Sequence, residues 1–260
     1  MASPTPPPLR DRVKRAKTST LGIWLALRLA NGQETLLPSG SGVAVSATSV
    51  LTCKHVVIPD RMPPGATITA IQVVRDTEPL ASGRAPSTVA WIRTTDSVRD
   101  LALLDAPGLN ASPIPMPAAE DMVQDGDDVF FIGHPAWNGE NAPPSAVGTA
   151  IVAAHERVNG RSMLRLDGNV NRGTSGGALL SRSTGALVGI VDAKAGSLST
   201  ALRQVRDTAP SASLSIGGTD PVAVLRETLA EMEANLQLGI GFAVDGQEID
   251  AFLAGDAGAP

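Results

Sequence analysis

Short apolar runs separated by turn residues recur along the whole chain. The run over residues 21–30 is followed by Asn31-Gly32 and by a second apolar segment through Val45, which is the pattern of a β-hairpin. Further runs of strand length occupy residues 49–52, 68–74, 89–92, 101–104, 128–132, 148–153, 163–166, 178–180, 187–191 and 240–244. Because these runs are short and bounded by glycine, proline or polar residues, the pattern predicts an all-β fold.

A proline-rich stretch divides the strand candidates into two groups. Residues 106–117 contain four prolines and little periodicity, which is typical of a linker. We therefore place one domain at residues 19–107, a linker at 108–118 and a second domain at 119–256. Residues 1–18 carry five basic side chains and one acidic side chain beside a proline run. We expect this basic segment to be a solvated, disordered tail, and we infer no nucleic-acid binding from it.

One segment departs from the strand pattern. Thr219 or Asp220 can cap a helix that begins at Pro221 and runs to about residue 236, with apolar side chains three and four positions apart. Those side chains are Val222, Leu225, Leu229, Met232 and Leu236. The pattern predicts an amphipathic helix of about four turns inside an insertion at 195–238. Its apolar stripe has two interpretations: packing on its own barrel, or docking of a partner helix.

Composition indicates the general class of protein but does not indicate a reaction. Hydrophobic residues make up 43% of the chain and charged residues 18%, which is ordinary for a globular protein. Cys53 is the only cysteine, so no intramolecular disulfide can form. No apolar stretch approaches 18 residues, and the first residues lack the apolar core of a signal peptide. We therefore expect a cytoplasmic protein with no membrane or nucleic-acid partner.

The segment Gly173-Thr-Ser-Gly-Gly177 is the strongest candidate for chemistry. A nucleophilic serine needs space for a substrate carbonyl and free backbone N–H groups around the developing oxyanion, and flanking glycines provide both. The segment also fits the Gly-x-Ser-x-Gly elbow of α/β-hydrolases, in which the acid and the histidine follow the serine. Here every histidine precedes Ser175, so the order must be histidine, aspartate, serine.

Two residues at strand ends are the best partners for this serine. His55 follows the apolar run 49–52, and Asp100 directly precedes the run 101–104. Asp96 and Asp105 are weaker alternatives for the acid. We expect the other two histidines to be structural and Cys53 to be a buried, inert thiol. These candidates are His55, Asp100 and Ser175 for catalysis, and His134 and His155 for structure.

Several motifs in this order resemble the trypsin-like peptidases, and within them the bacterial HtrA/Deg branch. The matching segments are Ser41-Gly-Val-Ala-Val45, Thr52-Cys-Lys-His-Val56, Asp100-Leu-Ala-Leu-Leu104, Asn171-Arg-Gly-Thr-Ser-Gly-Gly177 and Gly239-Ile-Gly-Phe-Ala-Val244. The resemblance implies two six-stranded antiparallel β-barrels with the active site between them. With only 16 residues after Val244, we expect no PDZ domain.

The resemblance also implies roles for individual residues. His55, Asp100 and Ser175 would form the catalytic triad, and the N–H groups of Gly173 and Ser175 the oxyanion hole. The pocket for the residue before the cleaved bond would be lined by parts of 169–172 and 192–194. Its candidate residues are Asn169, Asp192, Ala193 and Lys194.

We therefore expect a serine endopeptidase that hydrolyses peptide bonds through an acyl-enzyme on Ser175. No metal spacing, phosphate loop or dinucleotide fingerprint is visible, so we expect neither a metal nor a cofactor. The partners would be a protein or peptide substrate and a regulatory protein bound to the insertion at 195–238. The alternatives are a catalytically silent module that binds peptides or partner proteins, and a serine esterase.

Overall fold

The fold consists of two closed barrels of six antiparallel strands. The computed structural model describes residues 7–75, 87–116, 122–135, 144–171, 173–194, 202, 204–205, 220–235 and 239–257. Every strand candidate of the sequence coincides with an observed strand, and the predicted all-β, two-barrel fold is confirmed.

The first barrel has the strand order β1-β2-β3-β6-β5-β4. Its strands are β1 (Thr20–Arg28), β2 (Glu34–Ala44), β3 (Ser49–Cys53), β4 (Thr67–Arg75), β5 (Ser87–Asp96) and β6 (Leu101–Asp105). The second barrel closes in the equivalent order β10-β11-β12-β9-β8-β7. Its strands are β7 (Asp128–Gly133), β8 (Ala146–Val158), β9 (Arg161–Asp167), β10 (Ala178–Ser181), β11 (Leu187–Lys194) and β12 (Ile240–Asp245).

The buried apolar side chains form a core that continues from one barrel to the other. Leu51 of the first barrel and Ile190 of the second belong to the same cluster and are fully buried. The segment between the barrels is also packed, because Leu109 and Ile114 are buried and the Ile114 N–H donates to the Ala44 carbonyl at 3.2 Å. The part of the predicted linker within 108–116 therefore lies against the barrels.

The expectation of a disordered tail is wrong for residues 9–18. Helix α1 spans Leu9–Ser19 and packs its apolar side onto the core through Ala16, which is buried. Lys17 Nζ donates to the Ser145 carbonyl at 2.9 Å, and the Arg12 guanidinium donates to the Ser183 carbonyl. Two of the basic side chains thus bind backbone carbonyls of the second barrel, which composition alone does not indicate.

The predicted helix in the insertion exists as α3, Pro221–Asn235, after the single turn α2, Lys54–Val57. Asp220 caps α3, because its Oδ1 accepts the Val222 N–H at 2.9 Å. Leu229 is buried, whereas Leu225 and Met232 are 47% and 51% exposed. Burial therefore accounts for only part of the predicted apolar stripe.

A further helix, α4, spans Gly246–Ala257 and was not predicted. Asp245 Oδ1 accepts the Gln247 N–H at 3.3 Å, and Ile249 and Phe252 are buried. The spacing of Asp245 and Glu248 before these apolar residues is the sequence signal of a helix start. In the part of the chain that the structure describes, no helix is long and apolar enough to cross a membrane.

We expect Leu51→Ala to lower the free energy of unfolding by about 2–5 kcal/mol, because it opens a cavity in the shared core. Leu37→Ala in the same barrel is the control, since Leu37 is 40% exposed, and its cost should stay below about 1 kcal/mol. Urea unfolding of both variants checks this, and equal losses would contradict the packing described.

Candidate active site

His55 lies where β3 ends and the short helix α2 begins. The Lys54 N–H donates to the Asp100 carbonyl at 2.9 Å, and the His55 N–H donates to Asp100 Oδ1 at 3.1 Å. The imidazole Nδ1 lies 2.6 Å from Asp100 Oδ2. Three contacts therefore fix the position of His55 relative to Asp100, and they leave Nε2 as the ring nitrogen that can act on a substrate.

Asp100 ends the turn before β6 and has a backbone φ of 56°, which is unusual for a residue with a side chain. The preceding residue holds this turn in place. Arg99 Nη1 donates to Asp96 Oδ2 at 2.6 Å, and Arg99 Nε donates to Glu248 Oε2 of α4 at 2.8 Å. The turn that carries Asp100 belongs to the first barrel, but it is bound to the second.

The two alternative acids are engaged elsewhere. Asp96 pairs with Arg99, and Asp105 pairs with Arg93. Among the three carboxylates considered in the sequence, Asp100 is the one in contact with His55.

Ser175 lies in the loop before β10 and faces the same cleft as His55. Its hydroxyl donates to the backbone carbonyl of Asp192 at 2.5 Å. Within the described residues it makes no hydrogen bond to His55. The structure thus brings the three predicted triad residues to one cleft, with the serine hydroxyl turned toward β11.

The proposed oxyanion groups flank Thr174 in this loop. Gly173 has a φ of 89°, a conformation that L side chains rarely adopt. Its carbonyl accepts the Ser41 hydroxyl at 2.7 Å. Within the part of the chain described, neither the Gly173 N–H nor the Ser175 N–H donates a hydrogen bond to another residue. Among the described residues, no acceptor therefore competes with an incoming oxygen atom for these two donors.

Ser41 of β2 has a positioning role that sequence reasoning missed. Its N–H donates to the Ser175 carbonyl at 2.8 Å, and its hydroxyl accepts the His134 N–H at 2.8 Å while donating to Gly173. Ser41 is fully buried. Its place between glycines in a strand, where a backbone can approach closely, was the available signal.

Asp192, which was predicted to bind substrate, also takes part in an ion pair. Its carboxylate is only 9% exposed, and Oδ2 accepts Arg161 Nη2 at 2.6 Å. Oδ1 lies 3.9 Å from His55 Nδ1. Because the charge faces Arg161 and His55, it is not free to select a basic substrate side chain.

The local charges shift the pKa values of the central pair. Burial opposes the charged form of His55, but the hydrogen bond and charge of Asp100, with Asp192 adding to them, raise its pKa above the usual 6.5. Burial also opposes ionisation of Asp100, and the hydrogen bonds and charge of His55 outweigh it, so the pKa of Asp100 is lowered. The pair therefore favours an imidazolium beside a carboxylate.

The cleft between the barrels has a volume of about 840 Å³ and is lined by both barrels. Its walls include Ser39, Lys54, His55, Asp60, Asp100, Asn159, Arg161, Asn171, Gly173, Ser175 and Asp192. Of the residues predicted to bind substrate, Asp192 lines this cleft, whereas Asn169 is exposed and lies outside its lining. Ala193 and Lys194 lie on β11, paired with Phe242 and Gly241 of β12.

Cys53 is fully buried next to this cluster, with Sγ 3.4 Å from the Val191 carbonyl. Burial, with the charges of Asp192 and Asp100 adding to it, raises the pKa of the thiol well above its usual value. A protonated, buried thiol is a poor redox sensor.

Cys53, His55, Asp100 and Asp192 offer four donor atoms within 4.8 Å of one another. Sulfur, nitrogen and oxygen donors are a set that zinc accepts. However, His55 and Asp100 are hydrogen-bonded to each other, Arg161 binds Asp192, and the thiol keeps its proton. A metal ion would have to displace these interactions.

The remaining histidines lie outside the pair described above. The His134 N–H binds Ser41, and this side chain is buried. His155 Nδ1 contacts Asp125 Oδ1 at 2.6 Å on the second barrel. Neither ring lines the cleft.

Two closed six-stranded barrels, with a histidine, an aspartate and a serine facing the cleft between them, define the trypsin-like class of folds. Residues 40–190, more than half of the chain, match the trypsin-like peptidase domain family, and the protein belongs to that family.

Two curated relatives support this membership. The chain is 31% identical over 207 residues to the human peroxisomal leader peptide-processing protease, covering 77% of this chain and 32% of the relative. It is 37% identical over 99 residues to the serine endoprotease DegS of Haemophilus influenzae, covering 37% of this chain and 28% of the relative. The chain thus spans about a third of the length of these relatives.

The structure described as "HtrA-type protease AlgW with decapeptide" matches 96% of this chain and 67% of its own length. Its TM-score is 0.62 at 20% identity, a likeness of fold. The sequence match to DegS, together with this likeness of fold, confirms the resemblance to the HtrA/Deg branch that the motifs indicated.

Gly176 is the residue at which the nucleophile loop lies closest to the first barrel. A Cβ there would overlap the Ser41 carbonyl oxygen and the Thr52 hydroxyl, and its φ is 83°. We expect Gly176→Ala to lower the free energy of unfolding by about 3 kcal/mol or more, because it adds a backbone clash to the strain of that φ.

Gly32→Ala is the matched control, because Gly32 has the same φ of 83° and no atom within 4 Å of the added Cβ. Its cost should be about 1 kcal/mol. Urea unfolding compares the two variants, and similar losses would contradict the close contact.

Proposed function

We propose that this protein is a serine endopeptidase in which Ser175 is the nucleophile, His55 the general base and Asp100 the residue that orients the base. One observation carries the proposal. His55 is fixed to Asp100 by contacts of 2.6 and 3.1 Å and faces the same cleft as Ser175 and Gly173. Family membership supports the reaction class.

The proposed reaction begins when the Ser175 hydroxyl turns from the Asp192 carbonyl toward His55 Nε2. The imidazole accepts the hydroxyl proton while Oγ bonds to the carbonyl carbon of the peptide. The imidazolium then gives this proton to the leaving amine, which departs and leaves an acyl-enzyme. Water repeats the sequence, with His55 as base, and frees Ser175.

The oxyanion would be held by the N–H groups of Gly173 and Ser175. Donors fixed before the reaction stabilise the developing negative charge without reorganising, which supplies a large part of the rate enhancement in this class. The hydrogen bonds of Ser41 to the carbonyls of Gly173 and Ser175 support this arrangement, because they hold the loop at both residues.

A protein or peptide is the substrate class that we propose. The cleft has a volume of about 840 Å³ and is lined by residues of both barrels. One relative is named as a leader peptide-processing protease, and solved HtrA-type proteases carry a decapeptide or a tripeptide. These relatives support an extended peptide as the ligand.

A catalytically silent, peptide-binding module is the second candidate. It is favoured by the hydrogen bond of the Ser175 hydroxyl to the Asp192 carbonyl, because this bond engages the hydroxyl proton elsewhere than at His55. A serine esterase would share the nucleophile, and no feature of the described cleft favours it over a peptidase.

We further propose that a partner protein controls activity through the insertion at 195–238. Of this segment the structure describes residues 202, 204–205 and 220–235. Exposed Leu225 and Met232 on α3 support a protein contact there. Full activity of the purified chain, unchanged by Leu225→Asp, would count against this control.

A peptide-library digest tests the peptidase proposal. We expect wild type to cleave peptides, and we expect kcat/KM to fall roughly 10⁴-fold in His55→Ala and Asp100→Asn. Ser175→Ala is the control for contaminating proteases. If wild type hydrolyses esters but leaves the peptides uncleaved, it is an esterase. If folded wild type turns over neither, the silent module is favoured.

The pH profile provides an independent check of the base. His55 accepts a proton only when it is neutral, and its pKa is raised above 6.5. Therefore kcat/KM should fall as the pH drops through a midpoint above 6.5 and reach a plateau at higher pH. An acidic limb with its midpoint below 6.5 would contradict the environment described for His55.

A further inference from the structure

A largely buried ion pair lies beside the predicted triad in the cleft. Arg161 of β9 and Asp192 of β11 are joined at 2.6 Å, and their side chains are only 13% and 9% exposed. A buried pair costs desolvation energy and is therefore weak support for stability by itself. Its contacts with the site, described next, give it a role.

Arg161 connects the pair to the turn that carries Asp100. While Nη2 binds Asp192, Nη1 donates to the Arg99 carbonyl at 2.6 Å. That carbonyl belongs to the peptide bond between Arg99 and Asp100. The second barrel therefore binds the backbone next to the triad acid, which itself has an unusual φ of 56°.

Asp192 connects the pair to both other triad residues. Its Oδ1 lies 3.9 Å from His55 Nδ1, and its backbone carbonyl accepts the Ser175 hydroxyl at 2.5 Å. A carboxylate oxygen of Asp192 is also within 4.8 Å of one from Asp100. The imidazole therefore has two acidic neighbours, and one of them has an arginine as its counter-ion.

We propose that Asp192 and Arg161 are positioning residues: Asp192 sets the charge felt by the His55 imidazole, and Arg161 balances that charge while fixing the Asp100 turn. This inference rests on the proposed function of the site and assigns roles to two residues outside the triad.

The charge balance around the imidazole predicts the direction in which each substitution of Asp192 or Arg161 shifts the pKa of His55. The titratable and charged groups that face Asp192 or His55 come from β3, α2, the loop after α2, the turn before β6, β9 and β11. They are Cys53, His55, Asp60, Asp100, Arg161 and Asp192. The Arg161–Asp192 pair has no net charge. Removing the carboxylate alone leaves a positive charge, and removing both groups restores neutrality.

The directions of the pKa shifts agree with this geometry. Burial raises the pKa of Asp192, Arg161 opposes that shift, and Asp100 adds to it. The charge of Asp192 in turn contributes to the raised pKa of His55, after the larger effect of Asp100. The ion pair therefore acts on the proton that the proposed reaction moves.

The test is the titration of the His55 ring followed by NMR, which needs no turnover and is simplified by a total of three histidines. In Asp192→Asn the midpoint should move to lower pH. In the double variant Asp192→Asn/Arg161→Met it should return toward the wild-type value. Asp125→Asn, which removes the carboxylate bound to His155, is the control and should leave His55 unchanged.

Arg161→Lys separates the effect of the positive charge at position 161 from the effect of the two hydrogen bonds that the guanidinium makes. Lysine keeps the positive charge but lacks the two-pronged guanidinium that reaches both Asp192 and the Arg99 carbonyl. The His55 midpoint should therefore stay in place, while kcat falls roughly tenfold with KM unchanged. The amide spectrum of each variant verifies that the barrels are folded.

Two results would overturn the proposal: an unchanged midpoint in folded Asp192→Asn, or a midpoint equally lowered in the single and double variants. These outcomes are independent of the proposed function. If wild type cleaves no peptide but the midpoints move as described, the peptidase proposal fails and the charge relationship stands. If wild type is active and the midpoints do not move, the peptidase proposal stands and the charge relationship fails.

Discussion

The contact between Ser41 and the nucleophile loop joins the two barrels at the centre of the cleft. The backbone N–H of Ser41 binds the Ser175 carbonyl, and the hydroxyl binds the Gly173 carbonyl. The absence of a side chain at Gly176 lets the two backbones meet. The histidine and the serine come from different barrels, so their distance depends on how these contacts position the two barrels. A displacement of about 1 Å in such a site lowers the catalytic rate substantially.

A second set of polar contacts holds the acid from the opposite side. Arg99 binds Glu248 of α4, and Arg161 binds the Arg99 carbonyl. The turn before β6 is therefore shaped by the second barrel, although its sequence belongs to the first. Since Asp100 depends on that turn for its conformation, both barrels contribute to the position of the His55–Asp100 pair.

The positions of the strands along the chain and the candidate catalytic residues could be predicted from the sequence for local reasons. Strand runs such as 101–104 carry their signal in a few adjacent residues, and Ser175 lies among glycines that are visible without a structure. Helix α1 could not be predicted, because its stability comes from contacts with residues more than a hundred positions away, such as Lys17 with Ser145. Helix α4 had a local signal at Asp245 and Glu248 that was overlooked.

The contacts that surround the site could not be predicted from the sequence either. The ion pair of Asp192 with Arg161 could not be predicted, because Arg161 is 31 positions away and no periodicity connects the two residues. The same is true of Ser41, whose contacts lie on the other barrel. Residues that carry chemistry can be recognised by type and local setting, whereas residues that position them are defined by contacts that only the folded chain creates.

The most direct test of the central claim is labelling of the purified protein with a fluorophosphonate, followed by mass spectrometry to locate the adduct. An activated serine beside a neutral imidazole reacts with this probe, whereas an ordinary serine does not. The account predicts a single adduct on Ser175 that is lost in His55→Ala and absent from the denatured chain. An unlabelled but folded protein, or an adduct on another residue, would contradict it.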